Sequence, residues 1–432
     1  MDETYDVVVI GAGLAGLSAA ATAAGESPGA SVLVLDAQAA GRGGRAATDP
    51  VGRFRFDRGA HALYRATPGR EVLTRLGVSV QTHLPPTRGA QGRLGDRIGL
   101  LPLNAPTLAR SNLLGVRDKV VVGRLLAGVG RWRPADLAGL TANQWLDSLG
   151  VEGVVRQLME MLIRLTTYVC DLDAVSADLV AGQMKSALQD NVDYLDDGWV
   201  SLVDGLVTEV LYRGVRIDGG QEVHRIEPDG GRVRVELDGR TVLARRVIVA
   251  VGTPDACASL LPSRPAAWAT LAPAVLVACL DVGLATVPEI PVLLGVDCPL
   301  YLTRHAPPGS LAPPGGSVMQ AIRYLRAGEE LSSQQGRAEL VDHCRVGGFD
   351  PDEAEEARYL HRMVTCGGLP TPASGGMPGR PGVETGLAGI LVAGDWVGPV
   401  GHLTDAALSS GESAGRAAAA GIAEDAVSRA SA

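Results

Sequence analysis

The sequence predicts an α/β fold, a parallel sheet with helices packed on it, and three observations carry that expectation. The apolar run Tyr5-Asp6-Val7-Val8-Val9-Ile10 stops at the glycine cluster Gly11-Ala12-Gly13-Leu14-Ala15-Gly16, and an alanine-rich stretch follows at once. A second apolar run, Ser31-Val32-Leu33-Val34-Leu35, ends on the acid Asp36. Near the other end of the chain, Gly389-Ile390-Leu391-Val392-Ala393-Gly394 reads as a strand that delivers Asp395 and Trp396.

Each part of the first unit has a physical reason. Gly11 permits the tight turn, Gly13 lets the backbone approach a pyrophosphate with no Cβ in the way, and Gly16 lets the helix lie close on the strand. The helix beginning at Leu14 and Ala15 offers free N–H groups and the positive end of its dipole to phosphate oxygens. Asp36, followed by Ala37, closes the next strand where a ribose hydroxyl pair would meet it. Strand, glycine turn, helix and acid in this order indicate a Rossmann-type unit holding a dinucleotide.

Composition bounds the remaining choices. The chain of 432 residues is long enough for two domains, and its net charge of -9 argues against a nucleic-acid partner. Of 39 basic residues only Lys119 and Lys185 are lysines, which limits lysine-based chemistry. The six cysteines, Cys170, Cys257, Cys279, Cys298, Cys344 and Cys366, show no paired metal spacing, so reduced thiols and no metal are expected. The glycine motif lies close to Met1 and no apolar run reaches membrane-spanning length, so a cytoplasmic protein without a signal peptide is expected.

After Asp36 comes a second cluster, Gly41-Arg42-Gly43-Gly44-Arg45-Ala46-Ala47-Thr48, which a nicotinamide-binding domain does not need. Here the sequence resembles the FAD-binding superfamily of amine oxidases, protoporphyrinogen oxidases and phytoene desaturases, whose second motif runs roughly R-x-GGR-x-x-S/T. Arg42, Gly43, Gly44, Arg45 and Thr48 match it apart from the spacing of the first arginine. Asp57-Arg58-Gly59-Ala60-His61 resembles the family's D-x-G-x-H turn, which the resemblance places alongside the flavin. Tyr194 to Leu206 resembles the link by which the chain re-enters the cofactor domain, and the residue at the position of Val223 is expected to meet the adenine through its backbone. Gly394, Asp395 and Trp396, followed by Gly401-His402-Leu403-Thr404-Asp405-Ala406, resemble the closing motif, in the AGDW form found among phytoene-desaturase and squalene-associated desaturase relatives. Asp395 would bond ribityl or pyrophosphate oxygens, while Leu403, Thr404 and Ala406 would start a helix aimed at the flavin. Where relatives often carry Gly-Ala, this chain has Asp405-Ala406.

Between these motifs the pattern changes. Residues 67–198 read as largely helical, with a short strand pair near Val78–Leu103 and the clearest helix from Leu146 to Leu165. There Arg156, Glu160 and Arg164 recur every four residues opposite Leu158, Met161, Leu162 and Leu165. Strands are expected at Gly214–Ile217, Glu222–Ile226, Val233–Leu237 and Ala244–Val251, with a turn at Asp229-Gly230-Gly231. Further strands near Val275–Val282 and Pro291–Gly295 come with proline-glycine loops at Ala306–Gly316 and Gly367–Pro381. The expected layout is a glutathione-reductase-like FAD-binding domain from 1–66, 199–265 and 381–432, with an inserted α+β substrate-binding domain from 67–198 and 266–380. Arg110 to Arg133 holds six basic residues and one acid, interleaved with apolar ones, a pattern open to peripheral contact with the inner face of a membrane or to plain solvation.

The resemblance implies two-electron dehydrogenation of a hydrophobic small molecule, an isoprenoid or secondary metabolite, with electrons passed to oxygen or a quinone-like acceptor. Amine oxidation is less favoured, because both lysines fall outside the late segment where that branch holds one near the flavin. A redox-neutral flavin-dependent isomerase is the third class. Trp396 and His402 are the catalytic candidates, with Tyr64, Arg65 and Tyr168 suggested by their place beside the motifs.

Overall fold

The computed structural model of the protein describes residues 3–38, 43–59 and 61–430, with side chains described as far as 425. Five strands form a parallel sheet in the order Arg216–Gly219, Val32–Asp36, Glu3–Ile10, Arg240–Val249 and Ile390–Val392. Val7, Val8 and Val9 are buried on both faces of it, which is why the strand reads as a continuous apolar run and not an alternating one. Along the edge away from Glu3–Ile10, Arg240–Val249 serves two neighbours: Val247–Val249 pair with Ile390–Val392, and the earlier residues pair antiparallel with Arg232–Leu237. Val223–Asp229 completes that antiparallel meander.

Helices Leu14–Glu26, Val200–Tyr212 and Thr404–Ala430 cover one face of this sheet. The first and last lie close together because both meet through small residues; a Cβ on Gly415 would fall 2.5 Å from the Ala19 carbonyl oxygen. Their alanine content is therefore a packing requirement as well as a helix propensity.

A second sheet has seven strands in the order Glu356–Cys366, Val275–Leu284, Ser317–Tyr324, Leu300–Ala306, Val292–Gly295, Gln91–Leu94 and Arg97–Leu100. All neighbours are antiparallel except Val292–Gly295 with Gln91–Leu94. Helices Val116–Gly128, Ala142–Ser148, Gly153–Thr167 and Ala177–Asp190 pack in one apolar core with one face of the sheet, and Ser333–Val346 packs on the other.

Three expectations change. The helix expected over Leu146–Leu165 is two helices, interrupted around Gly150 and Gly153, both with positive φ. Arg164 does not share the solvated face of Arg156 and Glu160; it is buried and donates to the carbonyls of Gly295 and Val296. The helix Pro68–Arg75, assigned by the sequence to the substrate-binding half, instead places Val72 and Leu73 in the core of the cofactor half, against the C-terminal helix. Among the described residues no helix is long and apolar enough to cross a membrane.

Candidate flavin and substrate site

The glycine turn is built as its sequence demands. Gly11 takes φ +103° and donates its N–H to Leu35 at 2.7 Å; a Cβ there would lie 2.5 Å from the Ala250 carbonyl oxygen. Gly16 sits where a Cβ would overlap the carbonyl oxygen of Gly11. Gly13 differs: it is extended, and its Cβ position faces open space, with nothing nearer than the Gly43 oxygen at 3.9 Å. That space belongs to a cavity of about 1040 Å³ running between the two sheets.

At one end of the cavity, Asp36 accepts from the N–H groups of Ala12 at 2.7 Å and Gln38 at 2.9 Å, so its carboxylate is held at the wall. Ala37 and Val223 lie beside it. Along the middle run Gly11, Gly13, Leu14 and Ala15 opposite Gly43, Gly44 and Arg45. The Gly43 N–H donates to Ala12 at 2.8 Å, which locks the second glycine cluster onto the first.

Asp395, beside Gly394 in the wall, accepts from Arg45 Nη1 at 2.7 Å and from the Gly367 N–H at 3.2 Å. Burial acts to raise the Asp395 carboxyl, but the Arg45 guanidinium and the Gly367 N–H outweigh it, and it stays below the usual carboxylate range. Leu403 and Thr404 complete this end, placing the N-terminus of the long C-terminal helix at the cavity wall. Leu403 holds φ +51°, a costly conformation for leucine. Arg380 fixes the loop before it through the carbonyls of Gly398, Val397 and Gly401 at 2.6, 3.1 and 3.1 Å.

The other end faces the second sheet, where Leu165, Ile322, Leu360, Met363, Tyr64 and Tyr168 form the wall. Burial pushes both phenols up, so they are neutral. His61 also lines the cavity, with Nδ1 2.7 Å from the Gly59 oxygen and its ring 4.9 Å from Trp199. Burial lowers its imidazole pKa and raises that of nearby Asp57, which favours neutral forms of both. Arg58, Asp49 and Arg358 lie in the wall but are spent on one another, with Arg358 also held by Asp281. Neither lysine reaches the cavity: Lys185 donates to the Gly130 and Trp132 oxygens, and Lys119 to Ala109.

Several sequence candidates are placed elsewhere. Trp396 is 0% exposed and lies outside the cavity wall; its ring meets Trp268 and its Nε1 donates to Gly252 at 2.8 Å. His402, 2% exposed, is also outside, with Nε2 3.3 Å from the Thr167 oxygen; burial brings its pKa down to about 4. The structure thus gives both side chains packing contacts and no place in the cavity wall, against their sequence assignment as catalytic. Ala406 is turned into the helix packing and Ala407 faces the cavity, a shift of one residue. Gly16 and Gly59 support the walls without lining them, and Arg65 pairs with Asp193 outside. Arg42 and Ala60 lie outside the described residues. The sequence reading missed Arg380, Gly367 and the whole cavity-facing strand Glu356–Cys366.

The fold and site define a dinucleotide-binding α/β protein with a groove for an extended cofactor and an apolar chamber beyond it. A family model described as flavin containing amine oxidoreductase matches residues 14–281, and the chain belongs to that family. Solved structures agree in fold. An oxidoreductase from Methanosarcina mazei is 21% identical, with a TM-score of 0.71 over 94% of this chain and 98% of its own. Putrescine oxidase bound to putrescine is 18% identical, with a TM-score of 0.71 over 98% and 100%. Cyclohexylamine oxidase from Brevibacterium oxydans is 19% identical, with a TM-score of 0.66 over 98% and 99%. No curated protein matches the sequence.

The protein is a flavin-dependent oxidoreductase, and its cofactor is FAD: the family supplies the flavin, and the Gly11–Gly16 turn with Asp36 supplies the dinucleotide requirement. The residues present fit that group. Gly13 leaves its Cβ position open, Asp36 is held for a ribose, and Leu403 and Thr404 bring a helix N-terminus to the cavity wall.

Proposed function

We propose that this enzyme dehydrogenates an apolar small molecule, removing two hydrogens and forming a double bond. The observation that carries the reading is the chamber beyond the glycine turns: apolar and aromatic side chains, no lysine, and Asp49 committed to Arg58 and Arg358. Among the described residues, a cationic substrate entering the chamber would find no unpaired carboxylate there; Asp36 and Glu222 line the cavity beside Val223, where the adenine would lie.

Bound FAD supplies the two-electron acceptor, which oxygen or a quinone-like compound would then reoxidise. The chain's own residues orient and exclude. Gly13, Gly43 and Gly44 would seat the phosphates, and Asp395 holds Arg45 in the same wall. The start of Thr404–Ala430 presents its positive end where negative charge would collect on the reduced cofactor. Leu165, Ile322, Leu360 and Met363 keep water from the reacting carbon atoms. No side chain is required as a base; of the two histidines in the wall, His361 is exposed and His61 is half-buried, with its pKa lowered by desolvation.

A second reading is oxidation of a neutral amine, favoured by the buried phenols Tyr64 and Tyr168 in the chamber. Anaerobic spectra of the holoenzyme separate the readings. Bleaching of the flavin band by isoprenoid or other unsaturated substrates, but not by amines or NADPH, supports dehydrogenation. Bleaching by amines supports the second reading. Redox-neutral turnover with reduced flavin and no acceptor would point to an isomerase and overturn both.

A further inference from the structure

The helix Val116–Gly128 carries valine and arginine on its solvent side together. Val116 is 82% exposed and Val120 50%, and Arg117, Val121 and Arg124 share the same outward arc. A surface helix ordinarily turns its valines inward; here only Val122 is fully buried.

Around it lie the exposed Arg110, Arg131 and Arg133 and the half-buried Lys119. None of these six bases is ion-paired among the described residues, although arginines elsewhere on the protein are extensively paired. The acids close in sequence are Asp118, whose carboxylate accepts from the Gly115 N–H, and the exposed Asp136. A concentrated positive patch thus stands on a chain of net charge -9.

Beneath the helix, Val122, Leu125 and Leu126 meet Leu158, Met159 and Leu162 around an apolar crevice of about 40 Å³, with the exposed Leu103 and Leu188 also in its lining. The helix Gly153–Thr167 that floors this crevice reaches the main cavity at Leu165 and Thr166. The seven residue steps from Leu158 to Leu165 span about 10 Å of helix.

We propose that this face docks on an anionic phospholipid bilayer, with Arg117 and Arg124 at the headgroups and Val116 and Val120 entering the acyl boundary. Charge complementarity selects a negative surface, and projecting valines beside an apolar crevice select a lipid one over an acidic polypeptide. The apolar-substrate reading explains why the enzyme would sit there; the docking itself does not depend on it.

The test is flotation of the FAD-loaded protein with phosphatidylcholine vesicles, with and without phosphatidylglycerol. Binding is expected only with phosphatidylglycerol and is expected to weaken as salt rises. Each arginine neutralised should cost about fivefold in affinity, so R117Q/R124Q loses about 25-fold. V116N/V120N should also weaken binding, and both variants should keep the wild-type flavin absorbance, which reports the fold.

Absence of flotation, equal binding to neutral vesicles, or full binding by R117Q/R124Q would overturn the docking. Capture by polyglutamate without capture by vesicles would overturn it in favour of an acidic protein partner. Vesicle binding with no oxidation of apolar substrates would leave the docking standing and sink only the substrate reading.

Discussion

Two glycines three residues apart should behave oppositely when replaced by valine. At Gly13 the backbone is extended, with φ -81°, and the added Cβ finds nothing within 3.9 Å. The apoprotein should therefore fold, losing at most about 1 kcal/mol through the poorer helix N-cap. The new side chain would occupy the space left for the pyrophosphate, so Gly13→Val should purify colourless. At Gly16 the Cβ would lie 3.1 Å from the Gly11 carbonyl carbon, overlap its oxygen, and stand 3.3 Å from Val9 Cγ1. The Gly11 turn is backbone and cannot yield cheaply, so Gly16→Val should cost about 3 kcal/mol or more. The assay is thermal unfolding of each variant against wild-type apoprotein, so that lost ligand stabilisation is not mistaken for lost packing. Flavin content in Gly13→Val equal to wild type, or equal destabilisation by the two substitutions, would refute the reasoning.

Other substitutions probe the opposite wall and the corrected residues. Asp395→Ala leaves the Gly367 N–H without its partner and Arg45 with only the Thr365 carbonyl oxygen; a destabilisation of about 1–3 kcal/mol is expected, discounted because Arg45 is partly exposed, together with flavin loss on gel filtration. Unchanged flavin content would remove the role given to Asp395. Trp396→Phe strands the Gly252 carbonyl and should lower stability by about 1–3 kcal/mol, while substrate-driven flavin reduction keeps its rate; a large fall in that rate would restore a catalytic tryptophan. Asp405 accepts from Thr67 Oγ1 at 2.7 Å and the Gly69 N–H at 3.2 Å, and burial raises its pKa to about 6. The folded state then holds this proton more tightly than the unfolded chain, so its contribution falls as pH rises from about 4 to 6. Asp405→Asn keeps an acceptor for both donors and should be more stable than wild type above pH 6, by at most about 3 kcal/mol. Asp281, also raised to about 6, titrates in both proteins, so the difference between their stability–pH curves isolates Asp405.

The cofactor half was legible because its chemistry is carried by backbone. Gly11, Gly13 and Gly16 are dictated by approach distances within one short turn, and Asp36 by its place at a strand end. The chamber was not legible in the same way. Its wall strand, Glu356–Cys366, faces a cavity and not a core, so it is half-buried on both faces and shows no clean alternation. Trp396 misled for a related reason: the sequence places it beside Asp395, but its partner Trp268 is distant in the chain and pulls the ring to the other side of the strand. Arg164 likewise completes a four-residue charge spacing, yet carbonyls from the second sheet draw it inward. Asp405 stood out as a departure from the family pattern, and only the structure shows it tied to the next helix through Thr67 and Gly69.

The most direct test of the account is anaerobic single turnover of the FAD-loaded enzyme, with the flavin band and the product mass followed together. Dehydrogenation predicts that an apolar substrate bleaches the flavin in equal amount and yields a product lighter by two hydrogens. Bleaching by an amine alone, with an imine as product, would contradict it.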